Sequence, residues 1–288
     1  MNILKHIILI PVYNDWKSLN KLLFEISQSF KNDNFFSTEI LIVNDNSSEK
    51  INIDNKNFTN LKKIEVINLK KNLGSQKSIA VGLNHLKNLD NNFFITVMDG
   101  DGEDNPHQLK NMLEEAKLNE NYIITSNRKK REESLVIIFA YKIHLIISFL
   151  FSFKWISFGN FTTFNSKNLS KLLSNKNSWY AHSSSVLYNC KIKRLYAKRE
   201  KRYFDKSKLN FLSLIEHSLR VNTVFLKRIF IISIIYSILI LMFSPSNLFF
   251  YLILFITLFN ILLFYVRHKH HIKDIADSIE LIEGIESF

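Results

Sequence analysis

The sequence predicts an α/β fold, a mostly parallel sheet flanked by helices, followed by a C-terminal two-helix transmembrane hairpin. Three observations lead there. β-branched runs alternate with helix-like stretches through the first half, polar residues gather at the ends of those runs, and residues 229–266 contain no Asp, Glu, Lys or Arg. Strands are expected at 6–12, 39–44, 64–69, 93–98 and 122–126, with helices at 18–30, 75–89 and 106–118 between them. In 18–30 the apolar residues Leu19, Leu22, Leu23, Ile26 and Phe30 follow helical spacing. Helices alternating with strands imply βαβ units and a sheet covered on both faces. Ligands of such sheets sit beyond the carboxyl ends of the strands, where Asn14-Asp15, Asn44-Asp45-Asn46 and Asp99-Gly100-Asp101 fall. The N-terminal segment runs from an apolar stretch straight into Asn14-Asp15, so it reads as a strand and not as a signal peptide.

The chain of 288 residues divides on this reading into a catalytic domain at 1–215, a juxtamembrane helix and hairpin at 216–266, and a cytoplasmic tail at 267–288. Ser244-Pro245-Ser246-Asn247 interrupts the uncharged stretch, leaving spans 229–244 and 247–266. At about 1.5 Å per helical residue each approaches the roughly 30 Å of a bilayer core. Lys227-Arg228 precede the hairpin and Arg267, Lys269 and Lys273 follow it, whereas the turn is uncharged. The positive-inside rule then puts both ends and the catalytic half in the cytoplasm, as a multi-pass protein of the inner membrane. Residues 135–153 are also apolar but carry Lys142 and His144, so a helix lying in the interface is preferred over a third span. Trp155 and Trp179 suit an interface, and His268, His270 and His271 read as a positive interfacial cluster.

Net charge is +12, which calls for anionic company: nucleic acid, anionic lipid or phosphorylated substrate. No nucleic-acid motif is present, and membrane lipids account for the charge. Cys190 is the only cysteine, which excludes a disulfide framework and a cysteine-based zinc site. A homo-oligomer is compatible with the composition.

Asp99 and Asp101, at i and i+2 after a strand, can both reach one divalent cation bridging two phosphate oxygens. A calcium loop fails, because Asp104 stands where an EF-hand needs Gly and Lys110 where it needs Glu. The runs IPVYND, VNDNSSE, KNLGSQKSIAVGL and MDGDGEDNPHQL occur in order, each at a strand end or helix start. Together they resemble the family 2 glycosyltransferases of GT-A fold, and within them the branch that charges polyprenyl phosphates, which includes the dolichol-phosphate mannose synthases. The resemblance covers about residues 5–210 and continues into the C-terminal spans. It implies donor binding by Pro11, Tyr13, Asn14, Asp15, Asp45, Asn72, Gly74, Gln76, Lys77, Asp99 and Gly100, with Asp45 on the base or ribose. It implies that Asp101, supported by Asp99, ligates Mg²⁺ or Mn²⁺, and that the transfer inverts the anomeric centre.

Past the metal motif that branch carries R-x-x-G-x-S-K-Y. Arg202, Ser207 and Lys208 match it here, while its Gly and Tyr are absent. Arg202 and Lys208 suit phosphate oxygens as catalytic and acceptor-side groups; a juxtamembrane lipid attraction is the plainer reading of the nine Lys and Arg in 191–208, and Lys191, Lys193 and Arg194 are taken as surface. Asn160 stands where the branch commonly has Asp in Gly-Asp-Phe, and His182 reads as a loop hydrogen-bonding residue. No Asp or Glu lies in 134–199, where relatives that glycosylate a sugar hydroxyl usually keep a base. A phosphomonoester, with its second pKa at about 6, needs none. The expected reaction is therefore transfer from a nucleotide-sugar donor to a polyprenyl phosphate. A transferase acting on a lipid-linked saccharide hydroxyl in surface polysaccharide synthesis, and a non-catalytic scaffold on a decayed fold, are the alternatives.

Overall fold

A computed structural model describes residues 3–31, 33–54, 58–89, 92–128, 135–197, 200–204, 211–243 and 247–288. The chain forms two compact units, one from 1–131, 158–207 and 272–288, the other from 132–157 and 208–271.

The first unit is built on β1 (Leu4–Val12), α1 (Trp16–Ser29), β2 (Phe36–Asn44), β3 (Lys63–Leu69), α2 (Ser75–Leu86), β4 (Phe94–Val97), α3 (Leu109–Leu118) and β5 (Tyr122–Arg128). All five expected strands and three expected helices are present, with ends shifted by a few residues. Asn105 accepts the His107 amide at 2.8 Å and Pro106 opens a 3₁₀ turn, Pro106–Gln108, that leads into α3. Three strands were not expected: β6 (Phe158–Asn165), β7 (Lys191–Ala197) and β8 (Ile282–Ser287). The eight strands lie in the order β7-β5-β6-β4-β1-β2-β3-β8. β1 pairs parallel with both β2 and β4, β2 with β3, and β5 with β7; β6 is antiparallel to β4 and β5, and β8 to β3.

Two apolar layers sandwich this sheet. α1 and α3 cover one face through Leu19, Leu22, Leu23, Ile26, Met112 and Leu113. α2 covers the other through Ile79, Val81 and Leu83, joined there by the short helices α5 (Leu169–Leu172), α6 (Asn177–Tyr180) and α7 (His182–Asn189). Within the sheet a side-chain chain ties four strands: His6 meets Thr38 at 3.3 Å and Thr96 at 2.9 Å, and Thr96 meets Thr163 at 2.8 Å. Burial keeps the His6 imidazole neutral, its pKa pushed down to about 3 despite the attraction of Asp33.

The expected tail at 267–288 is corrected by the structure. Ile272 and Ile275 are buried in the α2 face, Asn84 donates to the Ile275 carbonyl at 3.0 Å, and β8 closes the edge of β3. The physical reason is the otherwise free edge of β3, whose backbone groups β8 satisfies by pairing. β7 manages the opposite edge with exposed basic residues, and Lys193 pairs with Glu115 at 2.6 Å.

The second unit holds α4 (Leu135–Ser152), α8 (Phe211–Thr223), α9 (Leu226–Phe243) and α10 (Asn247–Lys269). α4 coincides with the expected apolar helix but groups with 208–271 and not with the sheet. Asn260 donates to Ser233 at 2.8 Å, Phe151 stacks near Tyr236 and Phe259, and Arg228 donates to the Ser152 carbonyl at 3.0 Å. Among the described residues one helix, Phe250–Lys269, is long and apolar enough to cross a membrane; α9 joins that class only with α8, across an 89° bend. Of the two expected spans, the second meets this test by itself; in α9 the basic pair Lys227-Arg228 occupies the first turn.

Two outcomes follow from the first unit. Between pH 6.5 and 5 the unfolded chain takes up a proton that buried His6 refuses, so stability falls as pH falls, by about 1.4 kcal/mol per pH unit per such histidine. A His6→Gln variant shows a shallower pH dependence of Tm over that window. Removing residues 282–288 strips β3 of its antiparallel edge partner and lowers stability by at least about 1 kcal/mol, a Tm loss of about 2–4 °C in thermal denaturation; a dispensable tail would leave Tm unchanged.

Candidate active site

β1 has β2 on one side and β4 on the other, so the chain leaves these strands at one end of the sheet in opposite directions, the place where open α/β sheets take ligands. Each loop there is fixed locally. Asn14 adopts a left-handed φ of 48°, receives its neighbours through Oδ1 from the Glu49 amide at 3.2 Å, and donates its own N–H to Ser47 at 3.0 Å. The Asn46 φ of 57° turns the chain after β2. Pro11 lies within β1 and Tyr13 is exposed beyond it. Gly100 is packed so that a Cβ would lie 3.2 Å from Ile10 and 3.4 Å from Val12.

Asp45 is buried and its two oxygens accept the Leu73 amide at 2.7 Å and the Gly74 amide at 2.8 Å. Burial raises its pKa and those two amides oppose the shift. Its first task in this geometry is to hold the turn before α2, where Gly74 takes a φ of +85° that side chains resist. Asn72 is exposed in that turn, and Lys77 stands over the Trp179 ring at 5.2 Å.

Asp99 and Asp101 follow β4. The Asp99 amide donates to Asp104 at 3.1 Å, and Asp101 Oδ1 accepts the Glu103 amide at 3.0 Å. Asp101 Oδ2 lies 3.0 Å from Arg202 Nη1, whose Nη2 lies 3.3 Å from Asp15. Arg202 thus ties the end of β1 to the end of β4. It is brought there by a short strap: the Glu200 amide donates to the Glu103 carbonyl at 3.0 Å and the Tyr203 amide to the Asp101 carbonyl at 3.1 Å. The Tyr203 ring lies on Gly102, beneath Lys21 at 4.3 Å, and its hydroxyl donates to Glu25 at 2.5 Å. Ser207 and Lys208 lie outside the described residues.

β6 contributes Asn160, which donates to Asp99 Oδ1 at 2.9 Å and accepts from Gln76 Nε2 at 3.0 Å. Gln76 is buried, and its Oε1 accepts the His182 amide at 2.8 Å. His182 opens α7, its ring bonded to Thr162 at 2.8 Å and held neutral by burial, with a pKa near the low end at about 4. Sequence reasoning missed Tyr203, Gly102 and Glu25 altogether. The Gly at 102 was the one available signal for a close approach.

Among the described residues no group of three or more His, Cys, Asp and Glu side chains is arranged to hold a metal ion. Asp99 and Asp101 supply hard oxygen ligands of the kind Mg²⁺ and Mn²⁺ take when substrate phosphates complete the shell, so the pair fits such an ion in that setting.

A sheet of this order with carboxylates at its switch point defines an α/β protein of GT-A-like fold. The match of residues 7–185 to the glycosyl transferase family 2 model shows that the chain belongs to that family, and it is a glycosyltransferase. Similar solved structures include mannosyl-3-phosphoglycerate synthase from Rubrobacter xylanophilus, 13% identical over 78% of this chain and 74% of that one, with a TM-score of 0.53. Mannosyltransferase PcManGT from Pyrobaculum calidifontis, in complex with GDP-Man and Mn²⁺, is 9% identical over 94% of this chain and 74% of that one, with a TM-score of 0.50. S. aureus TarS 1–349 in complex with UDP-GlcNAc is 15% identical over 77% of this chain, with a TM-score of 0.48, and this chain spans 66% of its length. At such identities the likeness is one of fold. No match is found among curated proteins.

Gly102→Ala sets a Cβ against the Tyr203 ring and shifts the strap that carries Arg202. The expected result is a loss of sugar transfer of roughly ten- to a hundredfold with a Tm drop of about 2–4 °C from the strained positive φ, read from kcat/KM and thermal denaturation side by side.

Proposed function

We propose that the protein transfers one sugar from a nucleotide-diphosphate sugar to a polyprenyl phosphate at the cytoplasmic face of the inner membrane, with inversion at the anomeric carbon. The observation that carries the donor half is the pair Asp99 and Asp101 after β4 at the switch point of the sheet, with Asp101 3.0 Å from Arg202. Mg²⁺ or Mn²⁺ held by Asp101 and Asp99 would neutralise charge developing on the leaving nucleoside diphosphate. Arg202 changes partner from carboxylates to donor phosphate oxygens, for which its planar fork is suited. Pro11, Tyr13 and the loops held by Asn14 and Asp45 border the nucleoside, with Asn72, Gly74 and Lys77 beside the diphosphate.

The acceptor half rests on charge. β6, which delivers Asn160 to Asp99, belongs to a stretch of 66 residues, 134–199, without Asp or Glu. A hydroxyl acceptor needs a base as it attacks, whereas a phosphate monoester arrives ionised. Ser207 and Lys208 would meet that phosphate with Arg202. Exposed apolar side chains support lipid contact: Phe250, Leu258 and Tyr265 on α10, Ile231 and Ile238 on α9, and Phe139 and Ile146 on α4. In this reading α10 is one span, α9 with its approach through α8 a second, and α4 lies in the interface.

The test is a donor panel of UDP- and GDP-sugars with Mn²⁺ and undecaprenyl phosphate in detergent micelles. The expected product is a lipid-linked monosaccharide of inverted anomer, and Asp101→Ala lowers its rate at least about a hundredfold. Transfer to glycan hydroxyls with none to the lipid phosphate overturns the acceptor. Consumption of no donor in the panel overturns the reading as a whole.

A further inference from the structure

The contacts joining α7, α2, β6 and β4 form a series of hydrogen bonds with a fixed direction. At one end stands the His182 backbone N–H, which can only donate; it meets Gln76 Oε1 at 2.8 Å. The Gln76 amide is thereby turned so that Nε2 faces Asn160, donating to Oδ1 at 3.0 Å. That in turn aims Asn160 Nδ2 at Asp99 Oδ1, 2.9 Å away, and an ionised carboxylate can only accept. Both ends therefore demand the same orientation of both amides. The anchor is rigid: His182 is fully buried, its ring is tied to Thr162, and Thr162 lies two residues from Asn160 on the same face of β6. Gln76 is buried as well, so its amide is committed to this series and not to solvent.

From this geometry we infer that Gln76 is a positioning residue for the metal carboxylate: acting through Asn160, it holds the Asp99 side chain by its Oδ1. Position 160 must then supply an acceptor toward Gln76 and a donor toward Asp99 at once. A carboxylate of the same shape supplies only the first, and would set a second negative charge against Asp99. Asn160 is thus the residue that the series requires, and not a weakened catalytic acid. The inference rests on the assignment of Asp99 as a metal carboxylate.

Mn²⁺ affinity, read from the electron paramagnetic resonance signal of free Mn²⁺ with UDP and then GDP present, tests the series without relying on turnover. Gln76→Leu and the shape-conserving Gln76→Met are expected to weaken Mn²⁺ binding by about tenfold or more, the usual cost of losing an outer partner of a ligand. Asn160→Ala does the same, and the double variant Gln76→Leu/Asn160→Ala is no weaker than Asn160→Ala alone, because the two act in series. Thermal denaturation accompanies each variant, and Gln76→Met carries the test if Gln76→Leu fails to fold. Unchanged Mn²⁺ affinity in either folded Gln76 variant, or losses that add in full in the double variant, overturns the inference while leaving the metal site standing. Failure of the wild-type chain to bind Mn²⁺ with either nucleotide overturns both.

Discussion

A strand buried on both faces must have its backbone polar groups paired along both edges, and β1 meets that need with β2 on one side and β4 on the other. This pairing places the ends of three parallel strands side by side, and Asn14-Asp15, Asp45 and Asp99-Gly100-Asp101 leave from them. The Asp45 amide reaches back to the Val12 carbonyl at 2.8 Å, and the Asp45 carboxylate reaches forward to the turn before α2. The loops are therefore fastened to each other before any ligand is considered.

Bringing Asp15, Asp45, Asp99 and Asp101 to one edge raises a charge problem, and the structure answers it differently for each. Arg202 spans Asp15 and Asp101, two backbone amides serve Asp45, and a side-chain amide serves Asp99. Two of these answers are rigid, since backbone amides and a buried amide series move little. The guanidinium comes on a strap held by two backbone hydrogen bonds, by the Tyr203 ring against Gly102 and by the hydroxyl bond to Glu25. An anionic donor arriving with a cation would replace that pairing with one of the same sign pattern.

The helical unit obeys other physics. Its packing side uses single polar contacts such as Asn260 with Ser233, while much of its outer surface is aliphatic and aromatic. In water such a surface would be costly at roughly 25 cal/mol per Å², which supports the proposed contact with lipid.

Alternation of apolar runs with helical spacing determined the βαβ core by itself, because a residue such as Leu22 or Ile42 has one low-energy place, against the sheet. The order of acidic and Asn-rich turns likewise pointed to the strand ends, and Asp101 and Arg202 meet there. Tertiary structure decided the rest. β6 reads as polar and aromatic, FGNFTTFN, and becomes a central strand only because Thr162 and Thr163 find partners on His182 and Thr96. β8 is six residues whose role depends on an edge more than 200 positions earlier. The direction of the Gln76–Asn160 amides could not be read from residue types at all, since an amide is symmetric in size and polar at both ends. Only the His182 N–H at one end and the Asp99 carboxylate at the other fix it, and those are set by the fold.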